Sequence, residues 1–282
     1  MTKILITGGN GNLATMIKNN LSNEYDITSI TRMDVNLLNF EEIKNYLTNQ
    51  SFDILIHTAI KGGRRTLEEN GDITHTNLQM WENIMYFAND FKMIINFDSA
   101  AIYDRNTDIF NRKEEDVLSV PSDFYGFSKY NIYQRSLYYN HVYNFRVFNI
   151  FHIREEKDRF IHKCFLSKKE GKEISIFQDK YFDFVYEEDF IKILKFYLDN
   201  YLNSNALQKT INICYDQKYK LSDIARLIID DESKIIIEND DLLFNYSGNA
   251  DKLYQLGIEL NGLKKSLTIY KDNFFKEENR LK

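Results

Sequence analysis

Short apolar segments alternate with segments of helical periodicity along the first half of the chain. Residues 3–7 are apolar and β-branched, which is typical of a buried parallel strand, and helical spacing follows them. The repetition of this rhythm predicts an α/β fold with a doubly wound parallel sheet. The predicted strands are 3–7, 26–30, 52–57, 93–97 and 145–149, and the predicted helices are 15–21, 77–87 and 128–143.

The rhythm breaks after about residue 150. A charged stretch at 154–159 precedes a predicted helix at 160–169 and a predicted strand at 173–177, and Pro121 is the chain's one proline. Because no glycine- or proline-rich linker separates the two parts, we expect a smaller α/β lobe that is interwoven with the first. The predicted first domain is 1–152 with a return segment at about 181–215, and the predicted second lobe is 153–180 with 216–282.

A glycine-rich turn joins the first predicted strand to the first predicted helix. Gly8 and Gly11 allow a tight turn and a close approach of the backbone to a pyrophosphate, which the free N–H groups of a helix amino terminus attract. The small Ala14 permits close packing of the helix on the strand. In this strand-to-helix context the spacing Gly-x-x-Gly-x-x-Ala favours dinucleotide binding over a simple turn, with Asn12 and Leu13 as further predicted contacts.

The second predicted strand ends where a dinucleotide-binding fold contacts the adenosine ribose. An acidic residue at this point binds the ribose 2′-hydroxyl, whereas an arginine accommodates a 2′-phosphate. Arg32 therefore favours NADP. Asp34 lies close by and keeps NAD open, and a solvated loop arginine is the structural alternative.

The composition fits a soluble enzyme. The chain has 282 residues, of which 43% are hydrophobic, without an apolar run of membrane-spanning length or the layout of a signal peptide, so we expect a cytoplasmic protein without a membrane partner. The net charge of −6 argues against nucleic-acid binding, which needs a basic surface. The two cysteines and five scattered histidines form no disulfide or metal-binding pattern, so no metal is expected.

A tyrosine and a lysine lie four residues apart, at Tyr125 and Lys129, with Ser99 upstream. On a helix these two positions share a face. A nearby cation favours the phenolate form of a tyrosine, which allows proton exchange closer to neutrality and suits the protonation of a carbonyl during hydride transfer. The pair alone is a weak signal, because a half-buried tyrosine beside a solvated lysine has the same spacing.

Several short motifs occur in a fixed order along most of the chain. They lie at 8–14, 31–38, 58–63, 77–78, 99–103, 125–129, 146–149, 182–189 and 212–213. Through them the chain resembles the extended short-chain dehydrogenase/reductases, which have a Rossmann sheet, and within them the GDP-fucose synthase group of nucleotide-sugar enzymes.

The resemblance implies a catalytic set of Ser99, Tyr125 and Lys129. Ser99 would hydrogen-bond the substrate carbonyl, Tyr125 would donate the proton, and Lys129 would also hold the nicotinamide ribose. Arg32 falls where the family contacts the NADP 2′-phosphate. The full set of expected cofactor contacts is Gly8, Gly11, Asn12, Leu13, Arg32, Asp34, Val35, Thr58, Ala59, Lys61, Asn77, Tyr125 and Lys129.

Two departures from the family narrow the expected reaction. After the catalytic serine or threonine, dehydratases of the family have an Asp-Glu pair and GDP-fucose synthase has a cysteine at the second position, whereas this chain has Ala100 and Ala101. An alanine methyl group cannot act as an acid or a base. The family's partner histidine falls near Arg159, which stays protonated and is a poor base. The chain thus resembles a 4-ketoreductase that lacks the acid/base groups for the flanking carbons.

Further departures concern the substrate. The family often has an arginine where this chain has Phe182, and its usual Gly-Pro is His152-Ile153 here. Lys163, Lys180, Arg154 or Arg159 could supply charge instead, although a solvated surface explains each equally well. The expected substrate contacts are Ala100, Ala101, Asn149, Arg159 and Lys180.

Together these observations predict an NADP-dependent reductase of a nucleotide-linked 4-keto sugar, a 6-deoxyhexose or a heptose, in polysaccharide precursor synthesis. A GDP-linked substrate is favoured, and the family implies a homodimer formed through the helix of Tyr125. One alternative is an epimerase or epimerase/reductase in which His152, His162 or Tyr103 is the base. The other is a non-catalytic NADP-binding redox sensor, which would not need Ser99, Tyr125 and Lys129 together.

Overall fold

The computed structural model describes residues 1–63, 69–239 and 244–280. The strands are β1 (Lys3–Thr7), β2 (Asp26–Ile30), β3 (Ile54–His57), β4 (Met93–Ser99), β5 (Ile109–Arg112), β6 (Val142–Val147), β7 (Ile150–Phe151), β8 (Ile174–Gln178), β9 (Val185–Tyr186), β10 (Thr210–Ile213), β11 (Ile235–Asn239) and β12 (Tyr246–Gly248). The helices are α1 (Asn12–Leu21), α2 (Phe40–Thr48), α3 (Gly71–Met85), α4 (Phe124–Ser136), α5 (Phe160–Glu170), α6 (Glu187–Asp199), α7 (Leu221–Ile228), α8 (Asp251–Gln255) and α9 (Gly262–Arg280). Among the described residues, none of the helices combines the length and the apolar character needed to cross a membrane.

A six-stranded sheet in the order β10-β6-β4-β3-β1-β2 organises the fold. Strand β1 pairs in parallel with both β2 and β3, and β4 pairs in parallel with both β3 and β6. The α/β doubly wound fold predicted from the sequence is therefore confirmed. Strand β2 lies on one side of β1 and β3 lies on the other, so the topological switch point is between β1 and β3. Ligands of such sheets bind at the carboxyl ends of the strands beside this point.

One row of apolar side chains crosses the sheet. Leu5 is paired in register with Leu55, and Leu55 is paired with Ile94. All three are fully buried and belong to one core cluster with Trp81 of α3 and Ile132 of α4. Ile4 and Ile6 point to the opposite face of the sheet and are fully buried as well, so the strands have continuous apolar runs because both faces are covered.

The chain divides into two compact units, each built from three segments. The first contains Met1–Asn106, Glu115–Val147 and Lys195–Ile211, and the second contains Thr107–Glu114, Phe148–Leu194 and Asn212–Lys282.

The unit boundaries differ from the predicted domains. The predicted change at 152 lies after Val147, because β7 pairs with β9 inside the second unit. The return segment is shorter than the predicted 181–215. The excursion at 107–114 was not predicted, and it belongs to the second unit because β5 pairs with β12.

The sequence prediction was wrong about one helix. The segment 128–143 was predicted as helix, but α4 spans Phe124–Ser136 and β6 starts at Val142. The predicted strand at 145–149 is correspondingly displaced. The Lys209 ammonium donates hydrogen bonds to the carbonyl oxygens of Tyr139 and Asn140, at 3.1 and 2.7 Å, and so fixes the turn that separates α4 from β6.

The other predicted elements are confirmed, with shifted ends. Helix α3 begins at Gly71 instead of 77, because the Asn70 side chain caps it by accepting a hydrogen bond from the Asp72 N–H. The elements predicted at 160–169 and 173–177 are α5 and β8.

Candidate active site

The glycine turn at the end of β1 has a backbone shape that only glycine fits. Gly8 has φ +72°, and a Cβ there would lie 2.8 Å from the Cα of Ala59. The Gly9 N–H donates to the Ile30 carbonyl oxygen and the Gly11 N–H donates to the Gly8 carbonyl oxygen, both at 2.8 Å. These contacts hold the turn closely against the ends of β2 and β3.

Helix α1 starts directly after this turn. Gly11 is its N-cap residue and provides no side-chain cap, and the first turn of the helix carries no acidic residue. Asn12 is exposed, Leu13 is partly buried and Ala14 is fully buried against the sheet. An uncapped helix amino terminus without negative charge suits an anionic pyrophosphate, so the residues present fit a dinucleotide.

The two charged residues of the loop after β2, Arg32 and Asp34, differ in their contacts. The Oδ2 atom of Asp34 accepts hydrogen bonds from the N–H and the hydroxyl of Thr31, both at 2.8 Å, and these bonds lower the pKa of Asp34. Val35 is buried, and its N–H donates to the Thr31 carbonyl oxygen. Arg32 is exposed. Asp34 and Val35 thus shape the loop that presents Arg32.

The loop after β3 is fastened to β1. The Thr58 hydroxyl donates to the Thr7 carbonyl oxygen at 2.7 Å, and the Ala59 N–H donates to the Thr7 hydroxyl at 3.3 Å. The Thr7 hydroxyl also lies 3.0 Å from Nδ1 of His57. Burial, and secondarily the charge of Lys129, lower the pKa of His57 to about 3, so His57 is neutral at physiological pH.

Asn77, predicted as a cofactor contact, links the loop after β3 to α4. Its side-chain oxygen accepts the Lys61 N–H at 2.8 Å, and its amide group donates to the Lys61 carbonyl oxygen at 3.0 Å and to the Ser128 hydroxyl at 3.1 Å. Since both donor hydrogens have protein acceptors, Asn77 links this loop to α4. The Lys61 ammonium pairs with Asp72.

Tyr125 and Lys129 lie one turn apart on α4. The Lys129 Nζ is 5.9 Å from the centroid of the Tyr125 ring and donates a hydrogen bond to the Phe97 carbonyl oxygen on β4. Burial lowers the pKa of Lys129 to about 8, and the Asp98 carboxylate opposes this fall. The ammonium therefore remains mostly protonated at neutral pH and can favour a phenolate beside it.

Ser99 ends β4 and is connected to the same helix. Its N–H donates to Asp98 Oδ1 at 2.8 Å, and its hydroxyl oxygen accepts the Ala101 N–H at 3.2 Å. A Cβ at Gly126 would lie 2.8 Å from the Ala101 carbonyl oxygen, so the segment after Ser99 packs directly on the start of α4. Ala100 is buried along with Ala101, which departs from the expectation that both contact substrate.

An ion-pair cluster at the start of α4 was missed in the sequence. Arg105 donates hydrogen bonds to Asp123 and, at 3.1 Å, to Glu69. Asp123 caps α4 by accepting the Gly126 N–H at 2.7 Å, and Glu69 accepts the Tyr125 N–H at 3.3 Å. An aspartate just before a helix is a recognisable cap signal. The sequence carries no comparable local signal for Arg105 or Glu69.

Gly63 was placed in a motif but its role was not predicted. It has φ +86°, and a Cβ there would lie 2.9 Å from the Cε2 and Cζ atoms of Tyr125. The backbone after β3 therefore passes directly over the ring of Tyr125. The guanidinium carbon of Arg105 lies 5.7 Å from the centroid of the same ring.

The remaining predicted substrate residues belong to the second unit. Arg159 donates to the Asn149 side-chain oxygen at 3.4 Å, and its Nε lies 3.7 Å from a carboxylate oxygen of Glu155. Burial raises the pKa of Glu155 to about 8, against the opposing charge of Arg159. The structure thus brings Asn149 and Arg159 together, whereas the Lys180 ammonium lies 5.8 Å from the centroid of the Phe182 ring.

The three side chains considered as substitute bases have different surroundings. Burial lowers the pKa of His152. Nδ1 of His162 lies 2.9 Å from the Tyr270 hydroxyl, and the Tyr103 hydroxyl accepts a hydrogen bond from Arg146 at 2.7 Å. Within the described ranges, no group of three or more His, Cys, Asp or Glu side chains is arranged to hold a metal ion.

Solved structures with the same fold match nearly the whole chain. The GDP-mannoheptose C4 reductase from Campylobacter jejuni with NADP bound is 17% identical, with a TM-score of 0.77 over 98% of each chain. The Bordetella bronchiseptica enzyme WbmG, in complex with NAD and UDP, is 16% identical, with a TM-score of 0.80 over 98% of this chain and 95% of that one. A GDP-L-fucose synthetase from Naegleria fowleri is 16% identical, with a TM-score of 0.76 over 99% and 94%.

At these low identities, the structural matches establish a shared fold and nothing more. A sequence search of curated proteins gives no match. A model of the NAD dependent epimerase/dehydratase family matches residues 4–214, which include the glycine turn, Ser99, Tyr125 and Lys129. The chain therefore belongs to the NAD dependent epimerase/dehydratase family.

Proposed function

We propose that this protein uses NADPH to reduce the keto group of a nucleotide-linked 4-keto sugar without epimerising the neighbouring carbons. The observation that carries the proposal is the position of Lys129, whose buried ammonium lies 5.9 Å from the Tyr125 ring and is bonded to β4, the strand that ends at Ser99. This arrangement unites a proton donor, a cation that favours its ionised form, and a second hydroxyl.

Each side chain of the proposed catalytic set has a separate role in the reduction. NADPH, when bound at the glycine turn, supplies a hydride. The Ser99 hydroxyl donates a hydrogen bond to the substrate carbonyl oxygen, which polarises the carbonyl group. The Tyr125 hydroxyl gives its proton to that oxygen as negative charge develops, and the Lys129 ammonium stabilises the resulting phenolate.

The loop after β2 supports NADP over NAD. The Oδ2 atom of Asp34 is bonded to Thr31, while Arg32 is exposed and can meet a 2′-phosphate. Proteins of the same fold provide precedents for both cofactors, since the Campylobacter jejuni reductase has NADP bound and WbmG is in complex with NAD.

The expected retention of the neighbouring stereocentres rests on Ala100 and Ala101, whose methyl groups cannot remove a proton. One observation favours the alternative of an epimerase/reductase. Glu155 is a buried carboxyl group with a pKa of about 8, next to Arg159 in the second unit, and such a group exchanges protons near neutrality.

The substrate and the assembly belong to the same proposal. A GDP-linked 6-deoxyhexose or heptose is favoured, in line with fold neighbours named as GDP-mannoheptose and GDP-L-fucose enzymes. Such products serve polysaccharide precursor synthesis in the cytoplasm. Exposed apolar side chains at Phe124, Phe127 and Tyr138, on and just beyond α4, support a homodimer, which sedimentation of the purified protein tests.

The decisive experiment measures NADPH oxidation with GDP-, UDP- and dTDP-linked 4-keto-6-deoxyhexoses. We expect turnover with the GDP-linked sugar. Tyr125→Phe keeps the ring but removes the proton donor, so kcat should fall by about 10² to 10⁴ while NADPH binding is nearly unchanged. Tyr130→Phe, on the same helix, is the matched control and should retain native kcat. Native turnover by Tyr125→Phe would contradict the catalytic assignment.

A further inference from the structure

A fully buried ion pair lies next to the catalytic set in the first unit. Arg146 on β6 donates from Nε to Asp98 Oδ2 on β4 at 2.7 Å, and neither side chain is exposed. Asp98 immediately precedes Ser99 in the sequence. Burying two charges is costly and a buried pair is weak evidence of stabilisation, so its occurrence beside a reactive site calls for another explanation.

The Arg146 guanidinium is held on several sides. Its Cζ atom lies 4.7 Å from the ring centroids of both Tyr103 and Tyr133, and its Nη1 donates to the Tyr103 hydroxyl at 2.7 Å. Tyr133 is on α4, and Tyr103 ends the short turn that follows Ser99. Arg146 therefore connects β4, this turn and α4, and it leaves Asp98 little freedom to move.

Asp98 interacts with both Ser99 and Lys129. Its Oδ1 accepts the Ser99 N–H at 2.8 Å, and its charge opposes the loss of the proton from the buried Lys129. Among the described residues, two further titratable side chains lie near Lys129. His57 is neutral, because its pKa is lowered to about 3, and the Tyr125 ring centroid lies 5.9 Å from the Lys129 Nζ.

We propose that Asp98 is a positioning residue that keeps the Lys129 ammonium protonated and orients Ser99, and that Arg146 holds Asp98 in place. This proposal rests on the proposed function for the catalytic meaning of Lys129. Its electrostatic content concerns the ligand-free protein alone, so it is tested separately from any reaction.

The test is an NMR titration of the protein labelled with ε-¹³C lysine, with Lys129→Met assigning the Lys129 signal. Asp98→Asn removes the nearby negative charge, so the acid dissociation constant of Lys129 should rise about tenfold or more. Arg146→Met removes the cation that partly neutralises the Asp98 carboxylate, so the dissociation constant of Lys129 should fall. A purely structural role would not move the two variants in opposite directions.

The chain supplies an internal control. Burial lowers the pKa of Lys209 to about 8 as well, without any contribution from Asp98, so its titration should be unchanged in every variant. The double variant Asp98→Asn/Arg146→Met removes both charges of the pair, so its Lys129 dissociation constant should lie above that of Arg146→Met, even if Asp98→Asn alone fails to fold. An unchanged Lys129 titration in folded Asp98→Asn, or the same titration in the double variant as in Arg146→Met, would overturn the proposal.

Discussion

Gly63 gives the sharpest test of how the backbone positions Tyr125. Replacing it with alanine adds one methyl group at a backbone position with φ +86°. The new Cβ would lie 2.9 Å from two ring atoms of Tyr125, whereas ordinary carbon contacts are about 3.5 to 4.0 Å. The ring or the loop must therefore give way by roughly 0.6 to 1.1 Å, which is the difference between these distances.

Such a displacement is large for the proton donor that the proposed function makes of Tyr125. A misplacement of about 1 Å can lower a rate by about 10²-fold, so we expect Gly63→Ala to reduce kcat/KM by about that factor. The positive φ adds a backbone cost of about 1 to 2 kcal/mol to the free energy of folding. This second cost is independent of Tyr125 and must be measured separately.

Gly257→Ala is the matched control. Gly257 has φ +70°, and no described heavy atom lies within 4 Å of the Cβ that alanine would add there. Both variants should lose thermal stability through the positive φ, and Gly63→Ala should lose more because of its overlap with Tyr125, whereas only Gly63→Ala should lose activity in the NADPH oxidation assay. Native kcat/KM in Gly63→Ala, or an equal loss in Gly257→Ala, would refute the reasoning.

Two further predictions concern single charges. Arg32→Ala should weaken NADPH binding by about ten- to a hundredfold and leave NADH binding unchanged, because a charge-assisted contact contributes about 1.5 to 3 kcal/mol. Lys44→Ala, which removes an exposed cation from α2, is the control. If titrations of the native protein gave equal affinities for NADPH and NADH, the role of Arg32 would be contradicted. The pKa of Glu155 is raised to about 8 in the folded protein, so the native state binds the extra proton between its ordinary pKa and pH 8 and loses stability as pH rises through that window. Urea unfolding should therefore show Glu155→Gln gaining roughly 3 to 5 kcal/mol over native protein between pH 5 and pH 9, and a constant difference would disprove the buried-carboxyl assignment.

The sequence predicted the sheet because its information there is local. Leu5, Leu55 and Ile94 lie in apolar runs that any strand buried on both faces requires, and they form one row in the structure. The end of α4 was missed because the interaction that fixes the following turn comes from Lys209, which is distant in sequence. The excursion at 107–114 was missed for the same reason, since Ile109 pairs with Tyr246.

The candidate site divides in the same way. Tyr125 and Lys129 are recognisable because helical spacing is a local pattern, and the glycine turn is recognisable because only glycine accepts its φ. The pairing of Asp98 with Arg146 and of Arg105 with Glu69 depends on which strands and loops become neighbours. No regular spacing in the sequence indicates such pairs. They lie around the predicted residues but could not be predicted from them.

The central claim is reduction without proton removal from the carbons beside the ketone. The direct measurement is to incubate the protein with the GDP-linked 4-keto sugar in deuterated water, add NADPH, and determine carbon-bound deuterium in the product by NMR against an enzyme-free control. We predict a reduced product with no deuterium on the flanking carbons beyond that control. Enzyme-dependent deuterium at those carbons would contradict the claim.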